Sequence, residues 1–207
     1  MNIKTKKELE FCIAADHMMN RGTFKRTFKQ RIKELFFPDY IMEYLRTMRK
    51  CNYYRNCKIT PPLCFYNKLK LRRLALKLGF SIGDSVFGYG LIIPHYGTIV
   101  VGNSNNIGNY AVLHTSICIS DNGKSIGDGL YCSTGVKMTS PITLGNNISV
   151  GANSLVNKSF TDDNLLIGGM PAKEIKISPA WYIRDGKTFL NRVEKIELYK
   201  KKLGITL

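Results

Sequence analysis

The stretch IGDGLYCSTGVKMTSPITLGNNISVGANSLV, residues 126–156, carries an apolar side chain at every sixth position. The repeating residues are Ile126, Cys132, Met138, Leu144, Val150 and Val156. Glycine directly follows Ile126, Leu144 and Val150. An alternating β-sandwich would instead show strands of period two separated by irregular turns. The stretch is therefore an internal repeat of six residues, and this period indicates the fold.

The same step continues towards the N-terminus, with one slip of a residue in SDNGKS, residues 120–125, and another at IVVG, residues 99–102. The upstream repeat residues are Phe87, Ile93, Val101, Ile107, Leu113 and Ile119. If three six-residue units make one coil, the array is long enough for about four coils.

A period of six is typical of a parallel β-helix, in which each short strand ends at a corner and the next residue turns. Glycine eases such a turn, and the inward apolar residues of successive coils stack into one continuous core. Short polar residues also suit the corners, and the array supplies Asn103, Asn106, Asn109, Asn146 and Asn147. We therefore predict a mainly β protein whose centre is a parallel β-helix.

The segment before the array predicts helices rather than coils. Apolar residues at helical spacing predict one helix over 23–37, a second that Asp39 caps, and a third over 65–79 that Gly79 closes. After the array, Thr188 begins a last helix that we expect to pack on the coil ends, where it would protect the exposed strand edges, or on a neighbouring subunit.

We therefore divide the chain into a basic helical region (1–79), the β-helix (80–176) and a C-terminal helical extension (177–207). The net charge is +16, and residues 1–80 hold 19 of the 31 Lys and Arg against 6 of the 15 Asp and Glu. The basic helices can be solvated, pack on a neighbouring subunit, or contact an anionic polysaccharide or a membrane surface peripherally. Nucleic acid has only this charge in its favour, so we expect no nucleic-acid partner.

Composition places the protein in the cytoplasm. No apolar run reaches the roughly 18 residues that span a bilayer, and the start MNIKTKKELE is charged rather than apolar. The six cysteines lack the paired spacing of a zinc site, so we interpret them as free thiols.

Two segments carry a resemblance to a known family. SIGDSVFGYGLIIPHYGTIVVGNSNNIGNYAVLH, residues 81–114, resembles the serine acetyltransferase branch of the hexapeptide-repeat acyltransferases, and IGGMPAKEI, residues 167–175, resembles that family's usual β-helix ending. The similarity is greatest in character to O-acetyltransferases of bacterial polysaccharide gene clusters. The resemblance implies a left-handed β-helix, a homotrimer with active sites between subunits, and acetyl-CoA as co-substrate without a metal.

By this resemblance His95 is the catalytic base. An alcohol is a poor nucleophile, so a neutral imidazole must accept its proton as it attacks a thioester, which accelerates the reaction roughly 10²–10⁴-fold. An imidazole pKa of about 6.5 suits that step. We expect backbone N–H groups near the glycine corners to stabilise the oxyanion. Asp84 and a backbone carbonyl are the alternatives for the group that orients His95.

The sequence departs from the serine acetyltransferases at two acceptor-binding positions. Their aspartate fifteen residues before the histidine is Phe80 here, and a second histidine is missing because its loop has shortened to SDNGKS. We therefore expect a sugar hydroxyl as acceptor, with Phe80 and His114 in the acceptor pocket. A corner histidine that makes a structural hydrogen bond is the alternative for His114. An aromatic ring can pack on the apolar face of a sugar, whereas it cannot bind an ammonium group by accepting hydrogen bonds.

For acetyl-CoA, the resemblance nominates Gly151, Ala152, Lys158 and Lys173. Backbone amides and lysines hold phosphates, although each lysine is equally consistent with a solvated surface charge.

The sequence as a whole predicts an O-acetyltransferase that acts on a sugar in bacterial surface polysaccharide biosynthesis. The alternatives are a serine O-acetyltransferase of cysteine biosynthesis and a non-catalytic trimeric β-helix binding protein. A zinc enzyme of the β-helical carbonic anhydrase type would need three histidine ligands. His95 and His114 cannot supply three, and His17 lies in the helical region.

Overall fold

The computed structural model describes residues 1–57 and 61–207. Its helices are α1 (Lys6–Arg21), α2 (Phe28–Phe36), α3 (Tyr40–Asn56), α4 (Pro61–Leu78), α5 (Trp181–Arg184) and α6 (Lys187–Leu203). Its strands are β1 (Phe80–Ile82), β2 (Ile99–Val101), β3 (Asn106–Ile107), β4 (Val112–Leu113), β5 (Ile117–Ile119), β6 (Ser125–Ile126), β7 (Tyr131–Cys132), β8 (Lys137–Met138), β9 (Thr143–Leu144), β10 (Ser149–Val150), β11 (Leu155–Val156), β12 (Leu165–Gly169) and β13 (Ala172–Ile177).

The short strands form three sheets that wrap around one core, which confirms the parallel β-helix. One face has the parallel order β1-β2-β5-β8-β11, a second has β4-β7-β10-β12 with β13 added antiparallel, and a third has β3-β6-β9. Bridges from Phe87 to Ile107 and from Leu144 to Phe160 extend the third face by one position at each end. The β-helix therefore has about five coils rather than the four that we expected, because β1 and β12 lie outside the unbroken six-residue period.

The predicted repeat residues form the core of these coils. Every one of them from Phe87 to Val156 is buried. Cys132, for example, pairs with Leu113 on the coil before and with Val150 on the coil after. Each such aliphatic side chain contributes about 1.5–3 kcal/mol when fully buried. Cys132 is a free thiol, and its burial raises its pKa, so it packs as a small apolar group.

One corner of the β-helix turns through the left-handed backbone conformation on every coil. The residues at this corner are Gly90, Tyr110, Gly129, Asn147 and Asn164, with φ values of 76°, 60°, 73°, 59° and 63°. Asparagine tolerates this conformation better than most residues do. The stack is tight, since a Cβ on Gly129 would lie 2.4 Å from Oδ1 of Asn147. Asn147 therefore has the corner role that the sequence predicted, whereas Asn106 lies in β3 and Asn164 was not among the predicted corner residues.

A buried ion pair fixes the N-terminal helices on the first coil. The guanidinium of Arg49 in α3 donates to both carboxylate oxygens of Asp16 in α1, at 2.8 and 3.0 Å. It also donates to the carbonyl oxygens of Phe87 and Gly88, and Asp16 accepts from the N–H of Gly90. Every charge of the pair is thus hydrogen-bonded, which is the condition for placing an ion pair inside a protein.

The C-terminal helices are fixed in a similar way. Glu197 of α6 accepts hydrogen bonds from the hydroxyl groups of Tyr89 and Tyr110, and the indole N–H of Trp181 in α5 donates to the carbonyl oxygen of Tyr110 at 2.8 Å. Helices α1 and α6 also contact each other, and Arg192 donates to the carbonyl oxygen of Met19. The C-terminal extension therefore packs along the side of the coils rather than over their open end, which was one of the two expected positions, because its partners Tyr89 and Tyr110 lie on successive coils.

The helical region differs from prediction at three points. Helix α1 was missed, although Thr5 and Glu8 form a capping box at its start. Helix α4 begins at Pro61, before the predicted residue 65, because proline is well accepted in a first helical turn. The predicted caps at Asp39 and Gly79 are confirmed: Asp39 accepts from the N–H of Met42, and Gly79 has φ 77°.

The third difference concerns the start of α2 and the exposure of its apolar face. The helix begins at Phe28 rather than at 23, and none of its residues is buried in the single chain. Phe28 and Leu35 are each 78% exposed, and Phe36 is 75% exposed. The helical spacing predicted the helix correctly. It could not predict what the apolar face of the helix contacts, because that depends on the tertiary structure.

Candidate functional site

His95 lies on an exposed loop between the first and second coils, just before β2. The preceding Ile92 pairs with Val112 in β4, so the next coil brings His114 alongside. The centroids of the two imidazole rings are 6.4 Å apart. Within the described residues, the ring of His95 has no hydrogen-bond partner in the single chain. The structure thus brings two of the predicted site residues together.

Tyr131 extends this pair onto the third coil. Nε2 of His114 lies 2.9 Å from the hydroxyl oxygen of Tyr131, and either atom can donate, depending on the imidazole tautomer. Burial lowers the pKa of His114, and the neighbouring His95 lowers it further, while Asp185 acts in the opposite direction. A lowered pKa keeps His114 neutral at pH 7, so it can hydrogen-bond a neutral hydroxyl without carrying a charge.

Arg184 from α5 completes the wall beside Tyr131. Its guanidinium carbon lies 4.9 Å from the centroid of the Tyr131 ring, a cation–π geometry, and it donates to Oγ of Ser149 at 2.9 Å. Its other N–H groups bind the carboxylate of Asp185 at 2.7 and 3.1 Å. We refer to His95, His114, Tyr131 and Arg184 as the His95 strip.

Sequence reasoning found the two histidines of this strip and missed Tyr131 and Arg184. Tyr131 precedes the buried repeat residue Cys132, so by alternation it faces outward, and this was the available signal. Arg184 reaches Ser149 across 35 residues of sequence. No local pattern encodes that contact.

Phe80 does not lie in this strip. Its ring packs edge-on against Tyr44 of α3, with 5.1 Å between centroids, and only 5% of the residue is exposed. A ring in that position has no free face for a sugar, so the expected acceptor-pocket role of Phe80 is corrected to a core role. The carboxylate of Asp84 binds the guanidinium of Arg55 at 2.6 Å, so Asp84 is engaged with α3 and does not orient His95 in the single chain.

Two of the four residues nominated for acetyl-CoA, Gly151 and Lys173, lie at the C-terminal end of the β-helix. Gly151 donates to the carbonyl oxygen of Ile167 at 2.9 Å, which places it beside Gly168 on the next coil. Gly168 in turn pairs with Lys173 across the antiparallel ladder of β12 and β13. A backbone surface without side chains, next to an exposed Lys173, fits a chain-like ligand that carries phosphates.

The other two nominated residues differ in setting. Ala152 is exposed directly after Gly151, so it can belong to the same surface. Lys158 follows β11 on a different face of the β-helix, and its ammonium group lies 5.2 Å from the centroid of Phe160. The structure therefore groups Lys158 with Phe160 rather than with Lys173.

Three findings concern a metal site, the buried His17 and a membrane-spanning helix. In residues 1–57 and 61–207 no cluster of three or more His, Cys, Asp or Glu side chains is arranged to hold a metal ion. His17 is buried, its Nδ1 lies 2.5 Å from the carbonyl oxygen of Thr23, and burial lowers its pKa. None of the described helices is long and apolar enough to cross a membrane.

Hexapeptide coils around an aliphatic core, flanking helices and an outward histidine strip define a β-helix protein of the hexapeptide-repeat class. No protein-family model matches the sequence. Among curated proteins, the chain is 29% identical over 112 residues to the serine acetyltransferase of Staphylococcus aureus strain N315, a match that covers 51% of each chain. It is 30% identical over 112 residues to the serine acetyltransferase of Staphylococcus xylosus, covering 51% of this chain and 50% of that one. The chain thus spans about half the length of the curated relatives it matches.

Solved structures agree with this similarity. A serine acetyltransferase in complex with CoA aligns with 82% of this chain and 71% of its own, with a TM-score of 0.63 and 17% identity. The serine acetyltransferase of Neisseria gonorrhoeae covers 87% and 69%, with a TM-score of 0.58 and 21% identity. A soybean serine acetyltransferase complexed with serine covers 84% and 85%, with a TM-score of 0.59 and 18% identity. The left-handed β-helix fold and the resemblance to hexapeptide-repeat acyltransferases are therefore confirmed.

Proposed function

We propose that the protein is an acetyl-CoA-dependent O-acetyltransferase in which His95 is the general base. The observation that carries the proposal is the position of His95: an exposed, unpaired imidazole beside His114 on a β-helix that resembles serine acetyltransferases in sequence and fold. The CoA complex of one structural neighbour supports acetyl-CoA as co-substrate. Gly151, Ala152 and Lys173 are the residues that we propose to contact it.

The reaction needs one proton acceptor and one anion-stabilising group. The acceptor hydroxyl attacks the carbonyl carbon of the acetyl thioester as its proton passes to His95. The tetrahedral intermediate then collapses, the C–S bond breaks, and His95 returns the proton to the departing CoA thiolate. His114, whose Nε2 lies at hydrogen-bond distance from the hydroxyl group of Tyr131, is the residue that we propose to hydrogen-bond the acceptor. Backbone N–H groups supply the oxyanion contacts.

We propose a homotrimer with the active site between subunits. In the single chain His95 has solvent on its open side, and no described residue orients its ring, so a neighbouring subunit is the source of the missing contact. Sizing with light scattering at micromolar concentration tests this directly. We expect three chains per particle, and a monomer that retains full activity would rule out the shared site.

For the acceptor we propose a sugar hydroxyl, as in bacterial surface polysaccharide biosynthesis. The position of the serine acetyltransferase aspartate is taken by Phe80, which is buried against Tyr44 and offers no carboxylate. The second candidate is serine, and the named relatives and the serine-bound soybean structure favour it at least as strongly.

A panel of acceptors separates the two candidates. Purified protein is given acetyl-CoA with free serine or with sugars, nucleotide sugars and oligosaccharides, and CoA release is followed. We expect transfer to a glycan above the rate of thioester hydrolysis. Efficient serine acetylation without transfer to any glycan would establish the second candidate. No transfer to any acceptor would favour a non-catalytic binding protein.

A further inference from the structure

A cavity of ≈ 790 Å³ lies between α2, α3 and α4, and none of its lining residues belongs to the His95 strip. Its charged lining consists of five cations and three acids: Arg26, Arg31, Arg46, Lys50 and Lys70, with Glu34, Asp39 and Glu43. Sites for small organic molecules have volumes of roughly 300–1,000 Å³. The cavity is thus large enough for a small ligand, and it carries an excess of positive charge.

Each of the three acids already forms an ion pair, and part of the positive charge of the lining is left without an acidic partner. The pairs are Glu34 with Arg26 at 2.8 Å, Glu43 with Lys70 at 2.6 Å, and Asp39 with Arg21 at 2.5 Å. Within the part of the chain that the structure describes, Arg46 and Lys50 form no ion pair. Both are half-buried on α3.

The arrangement of these two cations is unfavourable for the free protein. Arg46 and Lys50 are four residues apart on one helix, where like charges repel each other. Burial, followed by the nearby Arg26, lowers the pKa of Arg46, while Glu34, Glu43 and Asp39 act in the opposite direction without cancelling the shift. Burial, followed by Arg46, lowers the pKa of Lys50. A fold that holds two cations half-buried in the lining of one cavity gains stability when an anion binds there.

We propose that this cavity is a binding site for a phosphate-bearing ligand, held by Arg46 and Lys50. Arginine and lysine both form charge-assisted hydrogen bonds to phosphate oxygens, and the guanidinium can bind two of them at once. Met42, Leu35 and Tyr66 also line the cavity, so the organic part of the ligand has apolar surface to contact. The phosphate belongs either to a soluble phosphoester or to a lipid headgroup. The lipid is a candidate because Leu35, which lines the cavity, is also part of the exposed apolar face of α2.

The test measures binding and thermal stability, so it does not depend on acetyl transfer. The probes are pyrophosphate at constant ionic strength and vesicles with and without a phosphomonoester lipid such as phosphatidic acid. The variants are Arg46→Gln and Lys50→Gln, and the matched control is Lys201→Gln, an exposed lysine in the last turn of α6. We expect each cavity variant to weaken binding of the active probe about tenfold or more, and the control to leave it unchanged.

The melting temperature of the free variants separates a binding role from a structural one. Because each substitution removes repulsion between half-buried cations, we expect Arg46→Gln and Lys50→Gln to melt at or above the temperature of the unmodified protein. Binding to phosphatidic acid vesicles but not to pyrophosphate, if the variants abolish it, would identify a lipid headgroup as the source of the phosphate. Binding that the variants leave intact, no binding of either probe, or strongly destabilised free variants would overturn the proposal.

Discussion

His95 is the residue on which the proposed reaction depends, and it lies exposed on its loop. Replacing it with alanine removes the proton acceptor and leaves the buried repeat residues untouched. We expect His95→Ala to lower kcat roughly 10²–10⁴-fold while the circular dichroism spectrum and the particle size stay unchanged. CoA release under saturating acetyl-CoA measures this. A loss below about tenfold would mean that another group acts as the base.

His114 has a different expected effect because, in the proposed reaction, it holds the acceptor rather than accepting its proton. Loss of one neutral hydrogen bond, worth about 0.5–1.5 kcal/mol, should reduce kcat/KM for the acceptor about two- to tenfold in His114→Ala, mainly through KM. Tyr131→Phe, which removes the hydroxyl partner of His114, should change KM in the same direction. A drop in kcat as large as that of His95→Ala would place His114 in the proton transfer itself.

At the scale of the element, the left-handed corner provides a test of how tightly the coils stack. Gly129 and Gly123 have similar backbone conformations, with φ values of 73° and 76°. A Cβ on Gly129 would lie 2.4 Å from Oδ1 of Asn147, whereas a Cβ on Gly123 would contact no atom within 4 Å. Alanine at either position carries the cost of the left-handed backbone, about 1–2 kcal/mol.

Gly129→Ala must in addition displace the Asn147 side chain, which donates to Oδ1 of Asn164 on the next coil at 3.0 Å. We expect its free energy of unfolding to fall by about 1 kcal/mol more than that of Gly123→Ala, the value of one hydrogen bond. Chemical denaturation of the two variants measures the difference. Equal losses would show that the corner accommodates a side chain without breaking the asparagine contact.

At the scale of the whole molecule, the pair of Asp16 and Arg49 joins two helices to the first coil. Both side chains are 1% exposed. Arg49→Met leaves the Asp16 carboxylate buried without its counterion, which typically costs 3–5 kcal/mol. The matched control on the same helix is Arg55→Met. Arg55 pairs with Asp84, and its side chain is 44% exposed. Such surface pairs contribute about 0–1 kcal/mol.

Equilibrium unfolding of the two variants compares these costs. The double variant Asp16→Leu/Arg49→Met should lose less than the sum of the two single variants, because removing both charges leaves neither one uncompensated. If Arg49→Met were as mild as Arg55→Met, the helices would be held on the coils by apolar packing alone.

The sequence by itself determined the β-helix, its buried repeat residues and Asn147 at a corner, and it supplied the proposal for His95. These features depend on local sequence. A period of six indicates which side chains point inward, and the histidine lies within a short motif. The tertiary structure decided the fifth coil, the buried position of Phe80 against Tyr44, the exposure of α2 and the contact of Arg184 with Tyr131. Each of these joins residues of different elements. Which surfaces meet depends on the packing free energy of the whole chain, and no repeat or local pattern in the sequence records it.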